Sequence, residues 1–273
     1  MIISLENPLV KRIVALRDKT DRQREGVFLI EGEKELLRAL ANGFSVETLL
    51  YCAELLAGNE ELTTTEHVEK ELRKENARGA KVIGVSPKVY AKIAYRDKAE
   101  GLVAVAHIPQ RDINDSKIPE NPFILVVQRI EKPGNLGALL RTADGVGVSA
   151  VIVCDSRVDL YNPNVVRSSM GAVFTVPTYE TPLEKALHWL GEKKIKVVLT
   201  SPQASKEYTQ LDYTGPVAVV LGSEAQGLSD LLLEQDIPQV KIPMAGQMDS
   251  LNVSCSGAIM LYEVLRQRKN RNM

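Results

Sequence analysis

Cysteine, histidine and tryptophan are scarce in this 273-residue chain, which has three Cys, three His and one Trp. Cys52, Cys154 and Cys255 lie far apart with no CxxC pair, which argues against a disulfide scaffold or a thiolate zinc site and fits a reducing compartment. His67, His107 and His188 are isolated, with no HExxH spacing, so no metal is expected. No apolar run approaches the ~20 residues needed to cross a bilayer. The opening MIISLENPLVKR meets charge too early for the apolar core of a signal peptide. These absences predict a cytoplasmic protein with no membrane partner. Neither sign of charge dominates: 34 Lys+Arg stand against 35 Asp+Glu, a net charge of −1, which argues against a uniformly basic surface. GxxxxGK[ST] is missing, GSE is not a GxSxG elbow, and GVGVSA precedes a strand where a dinucleotide fingerprint must follow one.

What is present is an ordinary globular composition, 44% apolar and 25% charged, long enough for one large or two modest domains. The stretch IPQRDINDSKIPENP, residues 108–122, has three prolines and little apolar content, so it reads as a linker. The expected division is therefore 1–107, a linker at 108–121, and 122–273. The first part mixes helices (VKRIVALRDK, EKELLRALANG) with strands (VFLIEG, TLLYC, KVIGVS, GLVAVAHI), with a charged helix between TLLYC and KVIGVS. After the linker, apolar strands alternate with helices: FILVVQ, AVIVC, FTVPTY, KVVLT, VAVVLG and QVKIPM are strands, and NPNVVRSSMGA is read as a helix. That alternation predicts an α/β domain with a mostly parallel sheet covered on both faces.

Charge is local. Residues 10–24 carry Lys11, Arg12, Arg17, Lys19, Arg22 and Arg24 against Asp18 and Asp21, and the tail carries Arg266, Arg268, Lys269 and Arg271. Such clusters attract phosphate or are simply solvated helix faces; sequence leaves both readings open. In open α/β sheets, ligands bind beyond the carboxyl ends of the strands, and three loops there stand out. Pro133-Gly134-Asn135 follows the first strand, and the spacing to Arg141 allows the two side chains to share a helix face. Leu221-Gly222-Ser223-Glu224 leads to Gly227 before the next helix. Ile242-Pro243-Met244 runs to Ser250 and Asn252, with Ser250 read as the N-cap of the last helix.

Together, NxGxxxR at Asn135–Arg141, LGSExxG at Leu221–Gly227 and IPM…SLNVS at Ile242–Ser254 resemble the three motifs of the SpoU/TrmH family of RNA 2′-O-ribose methyltransferases, in the SPOUT superfamily, over residues 122–267. NPLVKRIVALRD and FLIEGEKELLRAL resemble the substrate-binding domain that many members carry at the N-terminus. The resemblance implies a parallel-sheet α/β/α domain with a trefoil knot, preceded by a smaller α/β RNA-binding domain. It also implies S-adenosylmethionine held by Leu221, Gly222, Ile242 and Leu251, with Thr200 and Met244 nearby. A homodimer follows, with Arg141 of one subunit near the cofactor of the other. Asn135, Arg141, Glu224, Ser250 and Asn252 would be the catalytic set. Arginine is normally protonated, so Arg141 is read as holding a phosphate and stabilising the developing alkoxide. Lys11, Arg12, Arg22 and Arg24 are the expected RNA contacts. The expected substrate is structured RNA, foremost ribosomal; transfer RNA, or a non-catalytic RNA-binding protein on the same scaffold, are the alternatives. Ser256-Gly257, where many relatives have alanine after the motif, and TSPQAS after KVVLT depart from the family pattern.

Overall fold

The structure, a computed structural model, describes residues 1–57, 79–96, 100–223 and 226–271. It divides into two compact units, one of residues 1–110 with 159–175, the other of 111–158 with 176–273. The sequence reading kept 122–273 together; residues 159–175 instead pack within the first unit. The charged helix expected between TLLYC and KVIGVS is described only over Ala53–Ala57, and the rest of it falls outside the described residues.

The first unit has a four-stranded sheet, β1 (Val27–Glu31), β2 (Val46–Tyr51), β3 (Lys81–Gly84) and β4 (Leu102–His107), in the order β1-β4-β2-β3. All five residues of β1 are buried, because both faces of the strand are covered. Side chains alternate along a strand: Val27 and Leu29 point to a core with Val10, Ile13, Val89 and Ile93 from the helices Pro8–Ala15 and Pro87–Ile93. On the other face Phe28 lies 4.5 Å from the Tyr161 ring and 6.0 Å from Phe174, while Phe44 lies 4.9 Å from Phe174. Tyr161 and Phe174 come from the 159–175 segment. Where one helix was expected for NPNVVRSSMGA, two short ones form, Pro163–Ser168 and Ala172–Thr175, because Met170 and Gly171 both adopt left-handed backbone. The expected FTVPTY strand begins only at Thr178, since Phe174 belongs to the second of those helices.

The second unit holds seven parallel strands: β5 (Phe123–Gln128), β6 (Ala150–Cys154), β7 (Thr178–Thr181), β8 (Lys196–Thr200), β9 (Lys206–Glu207), β10 (Val217–Leu221) and β11 (Gln239–Lys241). Their order is β7-β6-β5-β10-β8-β11-β9, with every neighbouring pair parallel. The central strands β5, β6 and β10 are buried throughout, as expected of unbroken apolar strands covered on both faces. One cover includes Leu183, Trp189 and Leu190 of the helix Leu183–Glu192. Buried Leu136, Leu139 and Leu140 belong to the helix Pro133–Val146, and buried Met260, Leu261 and Val264 to the last helix, Val253–Arg271. Gly257 explains one departure from the family pattern. A Cβ there would lie 2.9 Å from Leu221 Cδ1 and closer still to Leu139, so glycine lets the last helix close onto both. The tail is only partly a free basic patch. Arg268 donates to the carbonyls of Pro122 and Gly215 at 2.9 and 2.7 Å and stacks over Phe123, and Arg266 pairs with Glu263.

Candidate active site

Three strands of the second unit end at one place. Thr200 closes β8, Leu221 closes β10, and Ile242 follows β11; all three line a cavity of about 350 Å³. Gly222, Met244, Ser250 and Leu251 line it too, so the six residues expected to hold a cofactor share one wall system. The position obeys the rule for open parallel sheets.

The loop after β10 is built tightly. Ser223 and Gly227 exchange backbone hydrogen bonds at 2.9 and 3.1 Å, and Gly227 takes the left-handed conformation (φ 68°) that closes the turn. Gly222 has no room for a side chain, since a Cβ would sit 2.5 Å from the Leu228 amide nitrogen. Behind the loop, buried Gln128 at the end of β5 donates to Ser229 Oγ at 2.8 Å and accepts from the Ser229 amide at 3.0 Å. Those two bonds tie β5 to the start of the short helix Asp230–Leu233. Glu224 lies outside the described residues.

Thr200 Oγ1 is buried and has no hydrogen-bond partner among the described residues, although it lines the cavity. A buried hydroxyl left unpaired is unfavourable, so the site has a polar handle awaiting a ligand group. Sequence reasoning missed Ser201, Gln203, Gln226 and Asp249, which also line the cavity. Their proximity to Thr200, Gly227 and Ser250 was the available signal.

Asn135 and Asn252 meet across the site, Asn252 Nδ2 donating to Asn135 Oδ1 at 3.3 Å. Asn252, not Ser250, caps the last helix: its Oδ1 accepts from the Ser254 amide at 2.9 Å and from the Ser254 hydroxyl at 2.6 Å. Ser250 sits too early to cap, because the helix begins at Val253. Arg141 does not share a face with Asn135. Six positions along the helix Pro133–Val146 turn it by about 120° from Asn135. Arg141 is exposed, makes no hydrogen bond or ion pair with the described residues, and does not line the cavity.

The expected RNA contacts need correction. Arg22 is 0% exposed and bound to Asp159, so it is a structural cation that cannot face a phosphate. Arg12 donates to Glu25 and to both oxygens of Glu47, and that bonding holds the Glu47 carboxyl below its usual range. Lys11 pairs with Glu6, and Arg24 with Asp21, on the surface. Only Lys11 and Arg24 remain accessible enough to exchange a weak exposed pair for a phosphate. Among the described residues no group of three His, Cys, Asp or Glu is arranged to hold a metal, and no helix is long and apolar enough to cross a membrane.

Residues 122–262 match the SpoU rRNA Methylase family, and residues 7–104 match the MRM3-like substrate binding domain. An uncharacterized tRNA/rRNA methyltransferase of Synechocystis sp. is 34% identical over 98% of this chain and 94% of that protein. The 23S rRNA (uridine(2479)-2′-O)-methyltransferase of Streptomyces viridochromogenes is 30% identical over 93% of this chain and 87% of its own. A solved structure, the AdoMet-bound rRNA methyltransferase from Sinorhizobium meliloti, superposes with a TM-score of 0.86 at 32% identity, covering 97% of each chain.

Proposed function

The chain belongs to the SpoU rRNA methylase family, and from that membership we propose that it methylates ribose 2′-hydroxyls of ribosomal RNA with S-adenosylmethionine. The observation that carries the reading is the cavity at the ends of β8, β10 and β11, with all six residues expected to hold the cofactor on its walls. The cavity suits the cofactor: Gly222 allows close backbone approach, and the unpaired Thr200 hydroxyl offers a buried hydrogen bond. S-adenosylmethionine supplies an electrophilic methyl group on a sulfonium. The backbone at Leu221, Gly222, Ile242 and Leu251 would hold the cofactor, and Met244 lies on the same cavity wall. The Asn135–Asn252 pair joins the two motif segments that would flank the reacting hydroxyl, and Ser250 lies on the cavity wall. Aligning nucleophile and methyl in this way removes several kcal/mol of barrier.

Arg141 acts on the hydroxyl. Its planar fork holds the neighbouring phosphate and stabilises the negative charge that develops as the ribose proton leaves. Because Arg141 does not line the cavity of its own chain, a second copy supplies it, and the working form is a homodimer. Tyr262, 55% exposed on the last helix beside Gly145, supports an interface there. The reading includes the trefoil knot of this fold. Its support is that two strands insert between others, β10 between β5 and β8, and β11 between β8 and β9. The first unit captures RNA, and the protein works in the cytoplasm, in keeping with free Cys52, Cys154 and Cys255.

The test is methyl transfer by the full chain from labelled S-adenosylmethionine to 23S rRNA, 16S rRNA and bulk transfer RNA. Label is expected in ribosomal RNA. Label in transfer RNA alone would overturn the substrate, and cofactor binding without transfer to any RNA would favour a non-catalytic binding protein.

A further inference from the structure

Among the described residues that line the cavity, Asp249 alone carries a charged side chain; the others are apolar, hydroxyl or amide groups. Asp249 lies in an exposed run directly before the wall residues Ser250 and Leu251. It makes no hydrogen bond or ion pair with any described residue, and none of the described lining residues is a cation that could neutralise it. A single uncompensated charge on a concave wall projects its field into the concavity, where low-dielectric walls focus it.

Resting on the cofactor assignment above, we propose that Asp249 makes the site selective for the charged cofactor over its spent form. The chemistry supplies the contrast. When the S–CH₃ bond breaks, the methyl group passes to the ribose oxygen, the bonding pair stays on sulfur, and the hydroxyl proton leaves to solvent. The sulfonium thereby becomes a neutral thioether, and the ligand loses one positive charge with almost no change of shape. Apolar and hydrogen-bonding walls cannot distinguish two such ligands by fit alone. A carboxylate on the wall attracts the sulfonium form and loses that attraction at the moment of transfer, which favours exchange of product for fresh cofactor. Asp249 is a selectivity residue in this account and takes no proton in the reaction.

The experiment is calorimetric titration of the full chain and its Asp249→Asn and Asp249→Glu variants with S-adenosylmethionine and S-adenosylhomocysteine, at low and high salt. Asn removes the charge and keeps the shape. It is expected to weaken S-adenosylmethionine about five- to tenfold and S-adenosylhomocysteine less than twofold, with the difference shrinking as salt screens the charge. Glu should restore most of the ratio between the two ligands. Equal weakening of both ligands would reduce Asp249 to a loop-shaping residue and overturn the proposal, as would an unchanged ratio. If the wild-type chain bound neither ligand, the cofactor assignment itself would fall.

Discussion

Arg22 and Asp159, 137 positions apart, form a buried ion pair in which Arg22 Nε donates to Asp159 Oδ2 at 2.7 Å. Arg22 Nη1 also donates to the carbonyls of Leu16 and Arg17 at 2.9 and 2.7 Å, and Asp159 Oδ1 accepts from the Tyr161 amide at 2.8 Å. The charge read as an RNA contact is thus an anchor for the returning segment. Arg22→Ala leaves a carboxylate buried without its cation, which costs about 3–5 kcal/mol. Exposed Arg24→Ala should scarcely move the denaturation midpoint. Urea unfolding of both variants checks the contrast; equal midpoints would contradict it.

Cutting the chain at the linker separates Phe28 and Phe44 from Tyr161 and Phe174. The fragment 111–273 should therefore expose an aromatic surface, bind hydrophobic dye and aggregate beyond a dimer, while the full chain does neither. Tyr161→Ser with Phe174→Ser in the fragment should reduce dye binding. A clean, dye-silent fragment would show that the segment does not depend on its partners in the first unit.

Gly222→Ala drives a methyl group to within 2.5 Å of the Leu228 amide nitrogen. The turn must open, and we expect cofactor affinity to fall at least tenfold by titration. Retained affinity would mean that the turn relaxes without disturbing the cavity.

Thr200→Val replaces a hydroxyl that has no partner among the described residues with a methyl of similar volume. Stability should hold or rise slightly, because no hydrogen bond is lost and a buried unpaired group is removed. Cofactor affinity should fall severalfold. Thermal melting and titration of the same sample separate the two effects, and a destabilised variant with normal affinity would assign Thr200 to the core.

Arg141→Ala should leave cofactor affinity within a few-fold and lower single-turnover methyl transfer by about 10²-fold or more, since a group used chiefly in the transition state affects rate more than binding. Arg141→Lys should also be slow, because a point charge does not reproduce a planar fork. Normal turnover in the alanine variant removes Arg141 from the mechanism.

The parallel sheet was legible because its strands are short apolar runs separated by helices of clear period, and the cavity because its walls come from strand ends that carry motif residues. Three things were hidden. Residues 159–175 carry no composition change to mark them as part of another unit, since their partners Phe28 and Phe44 lie more than a hundred positions away. The Arg22 cluster counted charge but could not see burial, which depends on Asp159. The Asn135–Arg141 spacing suggested a shared face, whereas six helical positions fall well short of two turns.

The central claim is that the methyl group goes to a ribose oxygen. Ribosomal RNA labelled by the purified chain with radioactive S-adenosylmethionine should be hydrolysed in alkali. A methylated 2′-oxygen cannot attack the adjacent phosphate, so the account predicts label in alkali-resistant dinucleotides. Label released wholly in mononucleotides would place the methyl on a base and contradict it.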